Sequence, residues 1–296
     1  MTTGVRRAPL WGYQWLWPAL ILIAVIELLP FCVMVIYSVR NINFLDVTAT
    51  GEFIGLDNYR RALDDPEFAA SIVTLAKIIV TALPIEFVLG LAVALSISAH
   101  PKIRKYLLPV IIIPMIISPV VVGLIGSLNL NADFGLIGIA LKALGIVDKT
   151  ILGDYDLALL AIIVIDIWEW TPFLILIFTA GLLSLPKEPY EAAYVDGAST
   201  WQVFTRVTLP LMRPIFIIAL LLRFTDLFKI FDQIFIMTEG GPGSVTEVSN
   251  IYAYRINFRF WNLGYGAAIV TLLFMVSFVV CFLFVQMATP REKKAR

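Results

Sequence analysis

Apolar positions in this chain come in long continuous runs, not in the alternation of a strand or the one-sided stripe of a surface helix. A helix needs about 20 mostly apolar residues to cross a bilayer. Six stretches reach that length: residues 16–39, 70–98, 106–128, 157–183, 214–237 and 264–288. The third and sixth are the cleanest, with no charged residue between Tyr106 and Ala132 or between Phe260 and Pro290. The first follows Arg6 and Arg7. It is too long for the apolar core of a signal peptide, about 7–15 residues, and lacks an obvious small-residue cleavage site. It reads as a retained helix. The pattern predicts an all-α integral membrane protein of six spans over residues 16–288, with a short segment at 1–15 and a basic tail at 289–296.

Composition agrees. Hydrophobic residues make up 60% of the chain and charged ones 15%, against about 45–50% and about 25% in soluble domains. The net charge of zero gives no reason to expect a nucleic-acid partner. The two cysteines, Cys32 and Cys281, lie in apolar runs, and His100 is the one histidine. No metal-ligand spacing, disulfide pattern or catalytic constellation emerges.

Six spans put both ends of the chain on one side. That side collects twelve basic residues: Arg6, Arg7, Lys102, Arg104, Lys105, Lys187, Arg206, Arg213, Arg291, Lys293, Lys294 and Arg296. The opposite loops hold seven: Arg40, Arg60, Arg61, Lys142, Lys149, Arg255 and Arg259. Lysine and arginine favour the cytoplasmic face, so both termini and the loop at 184–213 are expected in the cytoplasm.

That loop is unusual. Pro186 and Pro189 stop the fourth span, because proline cannot donate the helical hydrogen bond. Proline suits a first turn, so a short helix over about Pro189–Asp196 is expected. Ala192 and Ala193 keep one side of it thin. Gly197 permits a turn at positive φ, and a second helical piece follows from Ser199 to about Leu209, before Pro210 and Pro214 lead into the fifth span.

The order of these residues carries a resemblance. Glu191-Ala192-Ala193, three residues, Gly197, nine residues and Val207-Thr208-Leu209-Pro210 closely resembles the EAA loop of ABC importer permeases, with valine where the family pattern has isoleucine. Asp196-Gly197-Ala198 with Trp201 and Phe204, FIGLDNY at Phe53–Tyr59 and FDQIFIMTEGGP at Phe231–Pro242 resemble the carbohydrate-uptake branch, relatives of the maltose and glycerol-3-phosphate permeases. The resemblance implies a transport subunit rather than an enzyme. It implies that Glu191, Ala192, Ala193, Asp196, Gly197, Ala198, Leu209 and Pro210 form a coupling helix and its flank, docked on an ATPase. It further implies a second homologous permease subunit, two ATPase copies that hold ATP and magnesium, and an extracytoplasmic solute-binding protein, all at a bacterial or archaeal inner membrane. The chain lacks a GxxxxGK[ST] loop, so ATP is not expected on it.

Charges within apolar spans are costly and usually face a bundle interior or a water-filled path. Here they are Glu27, Lys77, Glu86, Asp166, Glu169, Arg223, Asp226, Lys229 and Asp232. Asp166 and Glu169 are neighbours on one helix face, with Trp170 on roughly that side and Trp168 nearly opposite. Arg223, Asp226, Lys229 and Asp232 recur every third position, a row that winds about 180° around its helix and cannot all face one pocket. Asp166, Glu169, Trp170, Arg223, Asp226, Lys229 and Asp232 are the candidate solute path, where hydroxyls of a sugar or polyol could bond to carboxylates. For any single charge, ion pairing within or between helices, including with the partner subunit, is the competing explanation; for the set, a pathway is expected. The basic pair Arg223 and Lys229 leaves an anionic sugar derivative or sugar phosphate open. A secondary transporter or channel with an ion relay through these charges is the alternative class, although matching half-repeats with broken helices are not evident. A non-transporting membrane assembly factor is a third, but would not need so many charges at mid-depth.

Overall fold

A computed structural model of the protein describes residues 15–288, apart from 146, 148 and 149. The expected terminal segment with Arg6 and Arg7, the tail with Arg291, Lys293, Lys294 and Arg296, and Lys149 lie outside the described residues. Among those described, the secondary structure is helical, with one isolated antiparallel bridge between Arg40 and Phe53. The long elements are α1 (Trp17–Ser38), α3 (Pro66–Ser98), α7 (Leu157–Ser184), α9 (Thr200–Phe228) and α12 (Leu263–Ala288). A bent pair joins them, α4 (Pro101–Ile116) and α5 (Pro119–Asn129). Short helices intervene: α2 (Asp57–Asp64), α6 (Leu136–Ala143), α8 (Glu188–Val195), α10 (Asp232–Thr238) and α11 (Ser249–Tyr254). Five helices are long and apolar enough to cross a membrane, or six if the bent pair counts as one.

Two expectations need correction. The third stretch, one of the two cleanest by composition, is not a straight span: its helices meet at 89°. Ile117 and Ser118 are extended, with ψ near 139° and 138°. Pro119 removes a donor and pushes the residue before it out of the helical region, and no hydropathy window registers that. The fifth span is also displaced. Residues 214–237 are not one helix: α9 starts at Thr200, ends at Phe228, and is followed by the separate α10. Pro210 and Pro214 do not separate the amphipathic piece from the span. The chain absorbs Pro210 with a π-helical turn at Phe204–Thr208, which re-registers the ladder where proline offers no N–H. Pro30 follows a similar turn at Ala24–Leu28 in α1.

The chain forms two compact units. In the first, residues 15–65 with Ala253–Leu273, the FIGLDNY stretch acts as a clasp. Ile54 donates its N–H to Val39, and Gly55 turns the chain at φ 61°. Asn58, buried, then donates through Nδ2 to the carbonyls of Ser38 and Arg40, each at 3.0 Å. Gly264 lies against this clasp: a Cβ there would sit 2.3 Å from the Arg40 carbonyl oxygen. Tyr265 is buried, donates its hydroxyl to Asp65 and carries the Arg61 guanidinium over its ring at 4.2 Å.

In the second unit, residues 66–252 with 274–288, α3, α7 and α9 pack together. Phe87, Phe178 and Phe216, one from each helix, meet edge to face with centroids 5.0–5.2 Å apart. Ala94, Leu174, Met212 and Ala219 complete this core. Gly90 allows α3 to approach α7, since a Cβ there would stand 2.9 Å from the Leu174 Cβ. Gly123 does the same for α5 against α10, with the Gln233 carbonyl at 3.1 Å.

Candidate solute site and docking segment

The three helices that share the aromatic core also bring buried charges together. Arg223 on α9 is 1% exposed and Glu86 on α3 fully buried. The guanidinium donates through Nε to Glu86 Oε2 at 2.7 Å and through Nη2 to Oε1 at 2.8 Å, a two-pronged pair that only arginine can make. Nη2 also bonds the carboxylate of Asp166 on α7. Nη1 reaches Asp226 Oδ2, one helical turn along, at 3.0 Å. The same guanidinium lies 5.1 Å from the centre of the Trp170 ring. One cation is thus held by three carboxylates and an aromatic face, an arrangement that satisfies charges which would be costly apart.

Glu169 differs from its neighbours. It is fully buried, one turn beyond Asp166, and neither carboxyl oxygen has a hydrogen-bond partner among the described residues. Leaving such a group unsatisfied is costly, and it sets Glu169 apart from the three carboxylates that hold Arg223.

The structure therefore joins Asp166, Arg223, Asp226 and Trp170, with Glu169 a turn away, and leaves out two expected members. Lys229 is exposed at the end of α9, and Asp232 is exposed in the first turn of α10. Neither makes an ion pair among the described residues. The winding of the row explains why: the helix ends before a further turn could bring them back. The buried polar residue of α10 is Gln233 instead. Sequence reasoning noticed Glu86 as a charge in a span but did not assign it to the path. Its signal was a lone carboxylate two residues after Pro84 in a run whose one other charge is Lys77. A separate cavity of about 640 Å³ lies among α5, α6 and α7, lined mainly by aliphatic side chains with Trp168 and Asn129. It touches none of the clustered charges and does not suit a polar solute.

The loop after α7 folds as its prolines and glycine suggest. α8 buries none of its residues. Glu191, Ala192, Asp196 and Pro210 are exposed, while Ala193, Ala198 and Leu209 are half-buried. Gly197 turns the chain at φ 72°, a conformation that costs other residues strain. Ser199 then caps α9: its side chain accepts from the Gln202 N–H, and the Gln202 side chain accepts from the Ser199 N–H at 2.7 Å.

Comparison with known proteins gives a consistent result. Residues 86–294 match the model of the binding-protein-dependent transport system inner membrane component family. The chain is 34% identical over 281 residues to the trehalose/maltose transport system permease protein MalF of Thermococcus litoralis, covering 94% of each. It is 32% identical to the trehalose transport system permease protein SugA of Mycobacterium tuberculosis, over 91% of this chain and 86% of that one. Its fold matches a chain in the crystal structure of a bacterial ABC transporter that imports the acidic polysaccharide alginate. There the TM-score is 0.81 at 22% identity, covering 95% of this chain and 96% of that one. The protein belongs to the family of binding-protein-dependent transport system inner membrane components.

Proposed function

We propose that this chain is one of two permease subunits of an ATP-driven importer, which moves a sugar, polyol or similar hydroxyl-rich solute into the cell by alternating access. The observation that carries the reading is a continuous route. An exposed short helix leads through a glycine turn into one helix, and that helix holds Arg223 of the buried cluster. In this reading α1, α3, the bent pair, α7, α9 and α12 are the six spans. Both termini and α8 face the cytoplasm, in keeping with the basic-residue bias. Glu191, Ala192, Ala193, Asp196, Gly197 and Ala198, flanked by Leu209 and Pro210, dock on a separate ATPase that is present twice and holds ATP and magnesium. The thin alanine side of α8 suits close approach by another backbone. A solved alginate transporter is described in complex with an alginate pentasaccharide-bound periplasmic protein, and the same kind of delivery is proposed here.

Asp166, Glu169, Trp170 and Asp226 form the solute-facing part of the path, with Lys229 and Asp232 outside the cluster. Arg223 is engaged by three carboxylates, and Glu169 a turn away adds a fourth carboxyl group beside a single committed cation. Such a site suits hydroxyl donors that stack on Trp170. In this reading a neutral solute is preferred to the anionic sugar derivative or sugar phosphate that Arg223 and Lys229 also leave open. Membership of this family disfavours the ion-driven transporter and the assembly factor.

Gly197→Pro and Glu191→Lys test the docking role. Each should give an assembled complex that hydrolyses ATP without moving solute. Full transport by both variants would overturn it.

A further inference from the structure

We propose that Tyr190 and Thr208 form a latch through which the motion of α8 passes into α9; this rests on the importer reading above. α8 is weakly attached. It buries no residue, and the turn that follows it is open, with nothing within 4 Å of where a Gly197 Cβ would stand. The Gly197 turn is closed onto α8 by its own backbone, with the Gly197 N–H to the Tyr194 carbonyl at 3.1 Å and the Ala198 N–H to the Ala193 carbonyl at 2.9 Å, and the chain then enters α9 through the extended Ser199, which leaves that single connection to set the angle between the two helices. Across this joint the Tyr190 hydroxyl donates to Thr208 Oγ1 at 3.1 Å. No other side chain of α8 makes a hydrogen bond or ion pair among the described residues.

The receiving end is firm. Thr208 is buried, and its hydroxyl also reaches back to the Val203 carbonyl at 3.5 Å. It closes the π-helical turn Phe204–Thr208, a distortion found often at functional sites. Arg223 lies fifteen residues further along the same unbroken helix, about 22 Å at 1.5 Å per residue. A displacement of α8 held by Tyr190 therefore moves the lower end of the helix that anchors the charge cluster. Without that bond the two helices are joined only through the turn and Ser199. Tyr190 is thus a positioning residue, acting through Thr208 and not on solute.

The experiment compares ATP hydrolysis and solute uptake by the assembled transporter, purified with its co-purifying ATPase and reconstituted in vesicles with its binding protein. Tyr190→Phe and Thr208→Val should assemble and hydrolyse ATP, while solute moved per ATP falls about three- to tenfold, the span of one net hydrogen bond. The double variant should fall no further than either single one, and Thr208→Ser should keep the wild-type ratio. A wild-type ratio in Tyr190→Phe would overturn the latch, as would additive losses in the double variant or failure of Tyr190→Phe to assemble. If the wild-type complex shows no ATP-driven uptake, the importer reading itself fails, a different outcome from wild-type uptake that is indifferent to Tyr190.

Discussion

Arg223 and Glu86 lie 137 positions apart in the chain and are joined by two parallel hydrogen bonds of 2.7 and 2.8 Å, both side chains withdrawn from solvent. The pair ties α9 to α3, and through Asp166 the guanidinium ties both to α7. The three helices that form the aromatic core are thus cross-linked a second time by charge, which makes this cluster both a support and a wall of the proposed path.

Removing one member of such a pair leaves the others charged and unmatched. Arg223→Ala should destabilise the protein by about 3–5 kcal/mol, read as a lowered thermal transition of the purified complex. Arg223→Lys should rescue little, because an ammonium cannot reproduce the fork that holds Glu86. Replacement of Glu86 and Arg223 together by Leu and Met should be milder than Arg223→Ala. A wild-type transition for Arg223→Ala would show that the cluster does not support the fold.

Glu169 should behave in the opposite way. With no hydrogen bond among the described residues, it gives the fold little, so Glu169→Leu should leave the thermal transition unchanged or raise it. Uptake should nevertheless fall by about tenfold or more, the scale of a lost hydrogen bond to a carboxylate. Loss of stability with uptake retained would place Glu169 among the structural residues.

Much of this was legible in sequence, but by different routes. Four spans follow from length and apolarity, because crossing a bilayer demands both. The short helix α8 and its turn follow from Pro189 and Gly197, whose conformational limits are local. What stayed hidden depends on neighbours. The break at Ile117–Ser118 sits inside an uninterrupted apolar run, and the end of α9 at Phe228 is marked by no helix breaker. Periodicity excluded a single face for Arg223, Asp226, Lys229 and Asp232, yet which of them turn inward required α3 and its Glu86.

Close approach between α3 and α7 gives a third test. Gly90→Ala would press a methyl to 2.9 Å from the Leu174 Cβ and should cost about 1–3 kcal/mol in thermal stability. Gly153→Ala, where nothing lies within 4 Å, is the control and should be near neutral. Equal behaviour of the two would argue that α3 and α7 do not pack through Gly90.

The FIGLDNY stretch is explained as a clasp, independent of transport chemistry. Asn58→Ala should strand the carbonyls of Ser38 and Arg40, at a cost of about 1–3 kcal/mol. Limited proteolysis should then cut between residues 41 and 56 faster than in the parent protein. An unchanged cleavage rate would remove Asn58 from that role.

The most direct test of the account is the energy source of uptake. Vesicles holding this permease with its co-purified ATPase are supplied with the solute-loaded binding protein and either ATP or an ion gradient. Uptake is predicted to require ATP and to stay at background with a gradient alone. Gradient-driven uptake by this chain without an ATPase would contradict it.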